Sequence, residues 1–567
     1  MKKQVFNFIK TVVNSNKLTK KAARRTKKFL LAVIKDNTHQ EVYNLSSFYP
    51  TINEYYFQQK DYSKTDPLIS ILLPTYNTPE DYLRECIDSI IVQSYQNWEL
   101  CIADDNSPDE NVVRIIREYQ KNEKRIRLVQ RKENGHISEA TNSALDMAKG
   151  SFVALMDHDD ILWPNALYEM VQAIRNNDTA DLIYSDEDKI DGTGEIHSYP
   201  FLKPDFSPEF LESCNYITHF SCIRTSVMRK IQGFRKGYEG AQDWDLFIRI
   251  GEITDKIVHI PKILYSWRIH EGSTASDTDA KPYVYEAQRK LLEDHIARQK
   301  KTGEVRTGII RQHRTVLYGL QPDSLLTVII RNDSPEAIKK ILTSLTKLDS
   351  GATYEVIVLT TSAISPSQKD GLSQIADVKF ITGTEKDLKK KYIGTSLLFI
   401  TQPGEIIRDE WAHVALSDTQ IANAGIVYPV LLGKDHATVL SAGIGIGYGE
   451  KGVADMLEGM PFDDPHYTRG LYAKSRRNVT AGSNAMFALN SNIFETYYIP
   501  HYEQKKHIEL AQELINKGMR NIYTPYLQFS VDFAPPIDLG GVSEVSKEDV
   551  YLNPHFSKLN GRMEVDS

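Results

Sequence analysis

The sequence predicts an α/β protein built from two similar halves, and three observations carry that prediction. Strand-length apolar runs alternate with helical patterns from Leu68 to Met156. A second series in the same order begins at Leu325. The chain is 567 residues long, whereas one hydrophobic core seldom grows past roughly 250–300 residues.

Each element follows from its pattern. Leu68-Ile69-Ser70-Ile71-Leu72-Leu73 is a buried-strand run stopped by Pro74. A helix across Tyr82–Gln93 places Leu83, Ile87, Ile90 and Ile91 on one face. The strand Trp98–Ala103 ends in Asp104-Asp105. A helix over Val112–Asn122, a strand at Ile126–Gln130, a helix over Ser138–Lys149 and a strand at Phe152–Met156 continue the alternation. Such alternation predicts parallel strands with helices on both faces, and ligands at the carboxyl ends of the strands. Acidic clusters fall at those ends.

Composition excludes several classes. Hydrophobic residues make up 41% and charged residues 25%, an ordinary soluble balance. No apolar run reaches the 18 or so residues of a membrane span, and no cleavable leader pattern is expected. Cys86, Cys101, Cys214 and Cys222 form no CxxC pair, so reduced, buried thiols are expected in a cytoplasmic protein. Net charge is −7, yet residues 1–35 hold eleven Lys or Arg and no acid. The acidic remainder argues against nucleic acid as a partner. The basic head, interleaved with Val5, Phe6, Ile9, Phe29, Leu30 and Leu31, fits either a helix lying on an anionic inner-membrane face or a frayed terminus.

Asp157-His158-Asp159-Asp160 directly follows an apolar strand. Carboxylates packed this closely repel one another and suit a hard cation such as Mg²⁺ or Mn²⁺, completed by substrate phosphates. The same residues also fit a solvated turn before the helix that Pro164 opens. Asp105 fits recognition of a uracil or thymine imide, and equally an Asx-turn.

These segments join others in a specific resemblance. Ser70–Asn77, Ala103–Ser107, Asn134–Leu145, Asp157–Asp160, Gly240–Leu246 and Trp267–Thr274 follow one another within residues 67–275. With these motifs in family order, residues 67–275 resemble the family 2 glycosyltransferases of the GT-A fold. It implies a nucleotide-sugar site at Pro74, Thr75, Tyr76, Asp105, Asn142, Asp157 and Arg268. It implies a divalent metal, Mn²⁺ or Mg²⁺, on Asp159, Asp157 and His270. Asp243 matches the family's general base, although its neighbour is Gln242 where many relatives carry Glu. Asp186 and His219 lie in segments that face the acceptor in this family, and the same segments also read as ordinary strand-end polarity. Trp244 fits sugar stacking or core packing. The implied reaction is an inverting transfer onto a lipid-linked or growing polysaccharide.

Residues 325–536 resemble the second domain of two-domain bacterial transferases of rhamnose-rich and O-antigen-type polysaccharides. Glu410-Trp411, Leu440–Gly443, Asp463–Pro465, Arg477–Gly482 and Asn521–Tyr526 carry that resemblance. It implies dTDP-rhamnose as donor; a UDP-sugar is the alternative, as is a non-catalytic carbohydrate-binding scaffold. A nucleotide-sugar pyrophosphorylase is excluded because Pro74–Asn77 replaces its glycine-rich loop, and the Gly443–Gly449 run does not meet the GxGxxG pattern of a nicotinamide enzyme.

The expected organisation is a basic segment at 1–36, a packing arm at 37–66 and a catalytic domain at 67–300. A linker at 301–324, a degenerate GT-A-like domain at 325–540 and a tail at 541–567 complete it. Aligning Leu68–Leu73 with Leu325–Ile330 sets Thr360-Thr361 against Asp104-Asp105 and Leu397–Thr401 against Phe152–Met156. Residues near Gln402-Pro403-Gly404 then replace the acid cluster, Glu405 alone stays acidic there, and His507 falls opposite Asp243.

Overall fold

The computed structural model describes residues 50–63, 65–270, 282–388, 394–449, 452–501, 507–533, 536–537, 549–558 and 562–565. The basic segment at 1–36 lies outside them. Two compact units emerge. Of the described residues, the first contains those up to Phe206 and within Asn215–Leu291; the second contains those of Ser207–Cys214 and within Leu292–Val565.

In unit 1 the strands are β1 (Ile69–Thr75), β2 (Trp98–Asp104), β3 (Ile126–Gln130), β4 (Phe152–Leu155), β5 (Ile161–Leu162), β6 (Leu182–Ile190), β7 (His197–Phe201), β8 (Ser221–Arg224) and β9 (Ile257–Arg268). Among the described residues they form one sheet in the order β3-β2-β1-β4-β8-β6-β9-β5, with β7 beside β6. The β1, β2, β3 and β4 pairings are parallel, as the alternation predicts. The antiparallel β8 then makes the sheet mixed. The reason for the core is visible in β1 and β2, every residue of which is buried. Leu83, Ile87 and Ile90 of the helix Glu80–Ile91 and Val112, Ile115 and Ile116 of the helix Glu110–Asn122 pack into that core.

The expected arm before β1 contains a helix, Ile52–Lys60, started by a capping box between Thr51 and Glu54. Its Tyr55 is buried and donates from its hydroxyl to the Val92 carbonyl at 2.5 Å.

Unit 2 carries β10 (Leu326–Arg331), β11 (Tyr354–Thr360), β12 (Val378–Thr382), β13 (Ser396–Ile400), β14 (Gly404–Ile406), β15 (Ala424–Leu432), β16 (Met486–Asn490) and β17 (Arg520–Val531). Their order is β12-β11-β10-β13-β16-β15-β17-β14. This is the order of unit 1 strand for strand, with the same parallel and antiparallel pairings. The sheet is the GT-A type in both units. One register shifts by a residue from the sequence reading. Ile69 pairs with Phe152, while Leu326 pairs with Ser396 rather than Leu397. Thr401, Gln402, Pro403 and Gly404 therefore stand at the positions of Asp157 to Asp160. The slip arises because Ser396 is polar yet buried, so hydropathy alone starts the strand one residue late.

Two stretches are more ordered than a linker and a tail. Within 301–324 the strands Gly303–Thr307 and Arg314–Tyr318 pair as a hairpin, and Val316 and Tyr318 are buried. Within 541–567, Tyr551, Leu552 and Phe556 are buried, and the Asp549 carboxylate accepts the Ile446 N–H at 2.9 Å. The helix Pro208–Ser213 is held inside unit 2 by an ion pair of Glu209 with Arg520 at 2.7 Å and by Ser207 Oγ donating to Asn478 at 2.7 Å. Among the described residues, no helix is long and apolar enough to cross a membrane.

Candidate active site

The site lies at the carboxyl ends of β1, β2 and β4, where the strands stop and polar loops begin. At the end of β1, Pro74 and Thr75 are buried and only Tyr76, 45% exposed, presents its ring to solvent. Thr75 instead donates to Asp104 at 3.4 Å. Asp104 closes an Asx-turn with the Ser107 N–H at 3.1 Å and its hydroxyl at 2.6 Å.

Asp105 is buried. Its carboxylate accepts the Gly135 N–H at 3.0 Å and pairs with Arg131 at 2.8 Å. The expected base-imide contact thus has an internal competitor on the same oxygens. Asn142 requires a correction. Its amide donates to the Phe234 carbonyl and accepts the Phe234 N–H, both at 2.9 Å. Each end of the amide holds one Phe234 backbone group, so it clamps that segment. A side-chain carbon added at Gly233, which sits at φ +65°, would come within 2.3 Å of Asn142 Oδ1, so the clamp also requires glycine there.

The acid cluster follows β4. Asp157 keeps 39% of its side chain exposed and lies 3.3 Å from His219 Nε2. Burial would raise its carboxyl, but the His219 hydrogen bond and the charges of His219 and His158 bring it below the ordinary value. Asp159 meets His270 Nε2 at 2.8 Å. Asp160 is fully buried; its oxygens accept the Tyr265 hydroxyl at 2.5 Å and the Arg268 N–H at 2.8 Å. Burial, then repulsion from Asp159 and Asp157, pushes the Asp160 carboxyl well above its usual range.

Arg268 also departs from expectation. Its side chain is 0% exposed. The guanidinium donates to the Asp159 carbonyl at 2.7 Å and pairs with Glu85 at 2.8 Å, over the Tyr82 ring. It ties the acid loop to the helix Glu80–Ile91 through these partners. A buried guanidinium is tolerated only where such partners satisfy its donors.

Asp243 sits in the first turn of the helix Gln242–Gly251. Its Oδ1 accepts the Trp244 N–H at 2.9 Å and its Oδ2 accepts from Asn215 Nδ2 at 2.7 Å. Burial raises its carboxyl above the ordinary value, His219 opposes that rise and Asp157 adds to it. Asp243 therefore lies within the electrostatic reach of the acid cluster. Asp245, one half-turn on, is buried against Arg235 at 3.0 Å and Arg249 at 2.8 Å and is structural.

Of the acceptor-side expectations, Asp186 and Trp244 are corrected. Asp186 is fully buried, accepting the Lys203 N–H at 2.8 Å and bonding His259 at 2.9 Å. Trp244 is 3% exposed and belongs to the core. His219 is where chemistry is available. It stacks on Tyr265 at 4.6 Å and 9°, with Asp157 on one nitrogen and Glu187 3.5 Å from the other. Both acids hold its imidazole well above its usual range against the opposing effect of burial. Glu187 is itself fixed by the buried Lys203 at 3.0 Å and by Thr218 at 2.6 Å.

Sequence reasoning missed Glu85, Lys203 and Tyr265. Lys203, alone in the run Phe201-Leu202-Lys203-Pro204, carried a faint signal because an isolated buried lysine needs an acid. Tyr265, inside an apolar strand, carried none.

The donor set suits Mn²⁺ or Mg²⁺. Asp157, Asp160 and His219 each offer one ligand atom, all within 4.8 Å of one another, and Asp159 and His270 stand beside them. Mutual repulsion that raises Asp160 is the kind a cation relieves.

Comparison with known proteins gives the family. Residues 70–232 match the model of glycosyl transferase family 2. An uncharacterized glycosyltransferase of Methanocaldococcus jannaschii is 32% identical over 213 residues, 36% of this chain and 71% of that protein. The chain belongs to family 2 of the glycosyltransferases. An O-antigen biosynthesis protein of Myxococcus xanthus, RfbC, is 30% identical over 81% of this chain and 37% of its own length. This family 2 chain spans about half or less of the length of the curated relatives it matches most extensively. The crystal structure of Staphylococcus aureus TarS 1-349 with UDP-GlcNAc aligns at a TM-score of 0.35 and 22% identity, over 40% of this chain and 66% of that one, too distant for residue equivalences.

Proposed function

We propose that unit 1 transfers a sugar from a nucleotide-diphosphate sugar to an acceptor hydroxyl, with inversion and with Asp243 as general base. The observation that supports this most is the placement of Asp243, hydrogen-bonded on both oxygens and within the field of Asp157 and His219. The acceptor oxygen forms a bond to the anomeric carbon as the bond from that carbon to the diphosphate breaks. The acceptor proton passes to Asp243 and the diphosphate leaves with the bonding electrons. One such displacement inverts the anomeric centre. Tyr76 covers the nucleotide base. Asp157, Asp159 and His270, with His219 beside them, would hold a divalent metal, which would supply positive charge for the diphosphate.

The donor proposed is dTDP-rhamnose, and the acceptor a lipid-linked or growing cell-surface polysaccharide. Support comes from the second-domain motifs and from the O-antigen biosynthesis relative. The basic segment at 1–36 brings the protein to the cytoplasmic face of the membrane. Unit 2 is proposed to lack transfer chemistry, because Thr401, Gln402 and Pro403 stand where Asp157, His158 and Asp159 do in unit 1.

The test is nucleoside diphosphate release by the full chain from dTDP-rhamnose, UDP-glucose, UDP-GlcNAc and GDP-mannose, with and without excess EDTA. Turnover of dTDP-rhamnose that EDTA abolishes and Mn²⁺ or Mg²⁺ restores supports the reading. Equal turnover in EDTA removes the metal, and preference for another donor removes rhamnose.

A further inference from the structure

The side chain of Asn215 donates to the carboxylate of the proposed base at 2.7 Å. It precedes the buried stretch Tyr216-Ile217, and its amide is oriented by chemistry, not by choice. A carboxylate only accepts, so the nitrogen end must face Asp243. That orientation leaves Asn215 Oδ1 buried with no hydrogen-bond partner among the described residues. The amide thus makes its bond at the nitrogen end, on Asp243.

We infer that Asn215 is a positioning residue for the base: its Nδ2–H fixes Asp243 Oδ2 and favours the ionised carboxylate that proton abstraction requires. The inference rests on Asp243 being the base. Burial works the other way, raising the Asp243 carboxyl. A hydrogen bond to a charged acceptor is the strong kind and offsets part of that rise. The other groups facing Asp243 are the Trp244 N–H on its own helix and, from across the site, His219 and Asp157. Asp245 on the same helix is committed to Arg235 and Arg249. In unit 2, Asn490 pairs with Ser396 as Arg224 pairs with Phe152 in unit 1, and counting back from there sets Ala481 at the position of Asn215 and Ala485 at that of His219.

The test compares Asn215→Asp with Asn215→Ala in the full chain. Asn215→Asp keeps the shape but replaces the donor with a like charge, whereas Asn215→Ala removes the donor without adding charge, so a midpoint raised in Asn215→Ala is the one that reports the lost hydrogen bond. Turnover is read as nucleoside diphosphate release from the donor panel above. In parallel, the Asp243 carboxyl is titrated by carbon-13 NMR in the free protein, its signal identified by loss in Asp243→Asn. The expectation is a fall in kcat of about tenfold or more in both variants, an unchanged KM for donor and an Asp243 midpoint moved upward. Circular dichroism matching wild type confirms folding, and if Asn215→Asp fails that check the Asn215→Ala result decides. Wild-type kcat and an unmoved midpoint overturn the inference. If Asp243→Asn itself turns over normally, the base assignment fails instead, and the two failures are told apart.

Discussion

The two units share a sheet order and differ at the strand ends. In unit 1, β2 runs into Asp104-Asp105 and β4 into Asp157–Asp160; in unit 2, β11 ends at Thr360 before Thr361, and β13 runs into Thr401-Gln402-Pro403. Thr401 spends its hydroxyl on the Asn484 carbonyl at 2.8 Å, and Asp333 closes the loop after β11 by accepting the Thr361 N–H at 2.7 Å. Glu405, the acid left nearby, pairs with Lys340 at 3.5 Å on the surface. His507 packs its ring 4.7 Å from Phe487 and 5.5 Å from Tyr428. The apolar strands are stabilised by burial, which needs no carboxylate, so the fold persists where the acids do not. The comparison also separates two kinds of buried charge. Arg268 in unit 1 holds a loop that presents acids to solvent; Arg476 in unit 2 pairs with the fully buried Asp418 at 3.1 Å.

The largest effect expected is in the double variant Asp159→Asn/Asp243→Asn, which leaves unit 2 untouched. Transfer from every nucleotide sugar should fall by about 10⁴-fold or more. A rate near wild type would assign the chemistry to unit 2 and end the asymmetry argued above.

Asp243→Asn alone should cost about 10²–10⁴-fold in kcat while nucleotide binding, measured by calorimetry, stays near wild type. Because burial raises the Asp243 carboxyl, activity of the unmodified protein should fade on the acid side at a pH above that of an ordinary aspartate. Loss of activity only below the usual carboxylate range contradicts the assignment.

Arg268→Ala sharpens the difference between a structural and a ligand arginine. It leaves Glu85 and the Asp159 carbonyl without their buried partner, and a stability loss of about 3–5 kcal/mol is expected in chemical denaturation. A variant as stable as wild type with a raised donor KM would return Arg268 to the diphosphate.

The smallest effect belongs to unit 2. Burial pushes the Asp455 carboxyl up to about 6, against hydrogen bonds from Ser441 and the backbone of Ala442 and Leu457. The folded state therefore holds a proton that the unfolded chain releases near pH 4. Stability from this group is complete below pH 4 and disappears as pH rises through about 6. Asp455→Asn should flatten that slope, worth up to about 3 kcal/mol. A slope unchanged in the variant places the titration elsewhere.

The sequence by itself determined the first four strands, their alternation with helices and the placement of acids at their ends, because apolar runs and the breaks after them are local signals. Leu68–Leu73, Trp98–Ala103 and Asp157–Asp160 could be read without any contact between them. It also exposed the repeat, since Leu325 restarts the same alternation. What only the tertiary structure decided is which polar groups remain available. Arg268, Asn142, Asp186 and Trp244 have residue types suited to ligands, yet Glu85, the Phe234 backbone, Lys203 and the core occupy or cover them. Those partners lie far away in the chain, from 17 residues for Asp186 and Lys203 to 183 for Arg268 and Glu85. A side chain's free valence is set by whatever folding brings against it, and no local pattern records that. The same reason hid Tyr265 against Asp160 and joined Asn215 to Asp243, contacts between residues 105 and 28 positions apart in the chain.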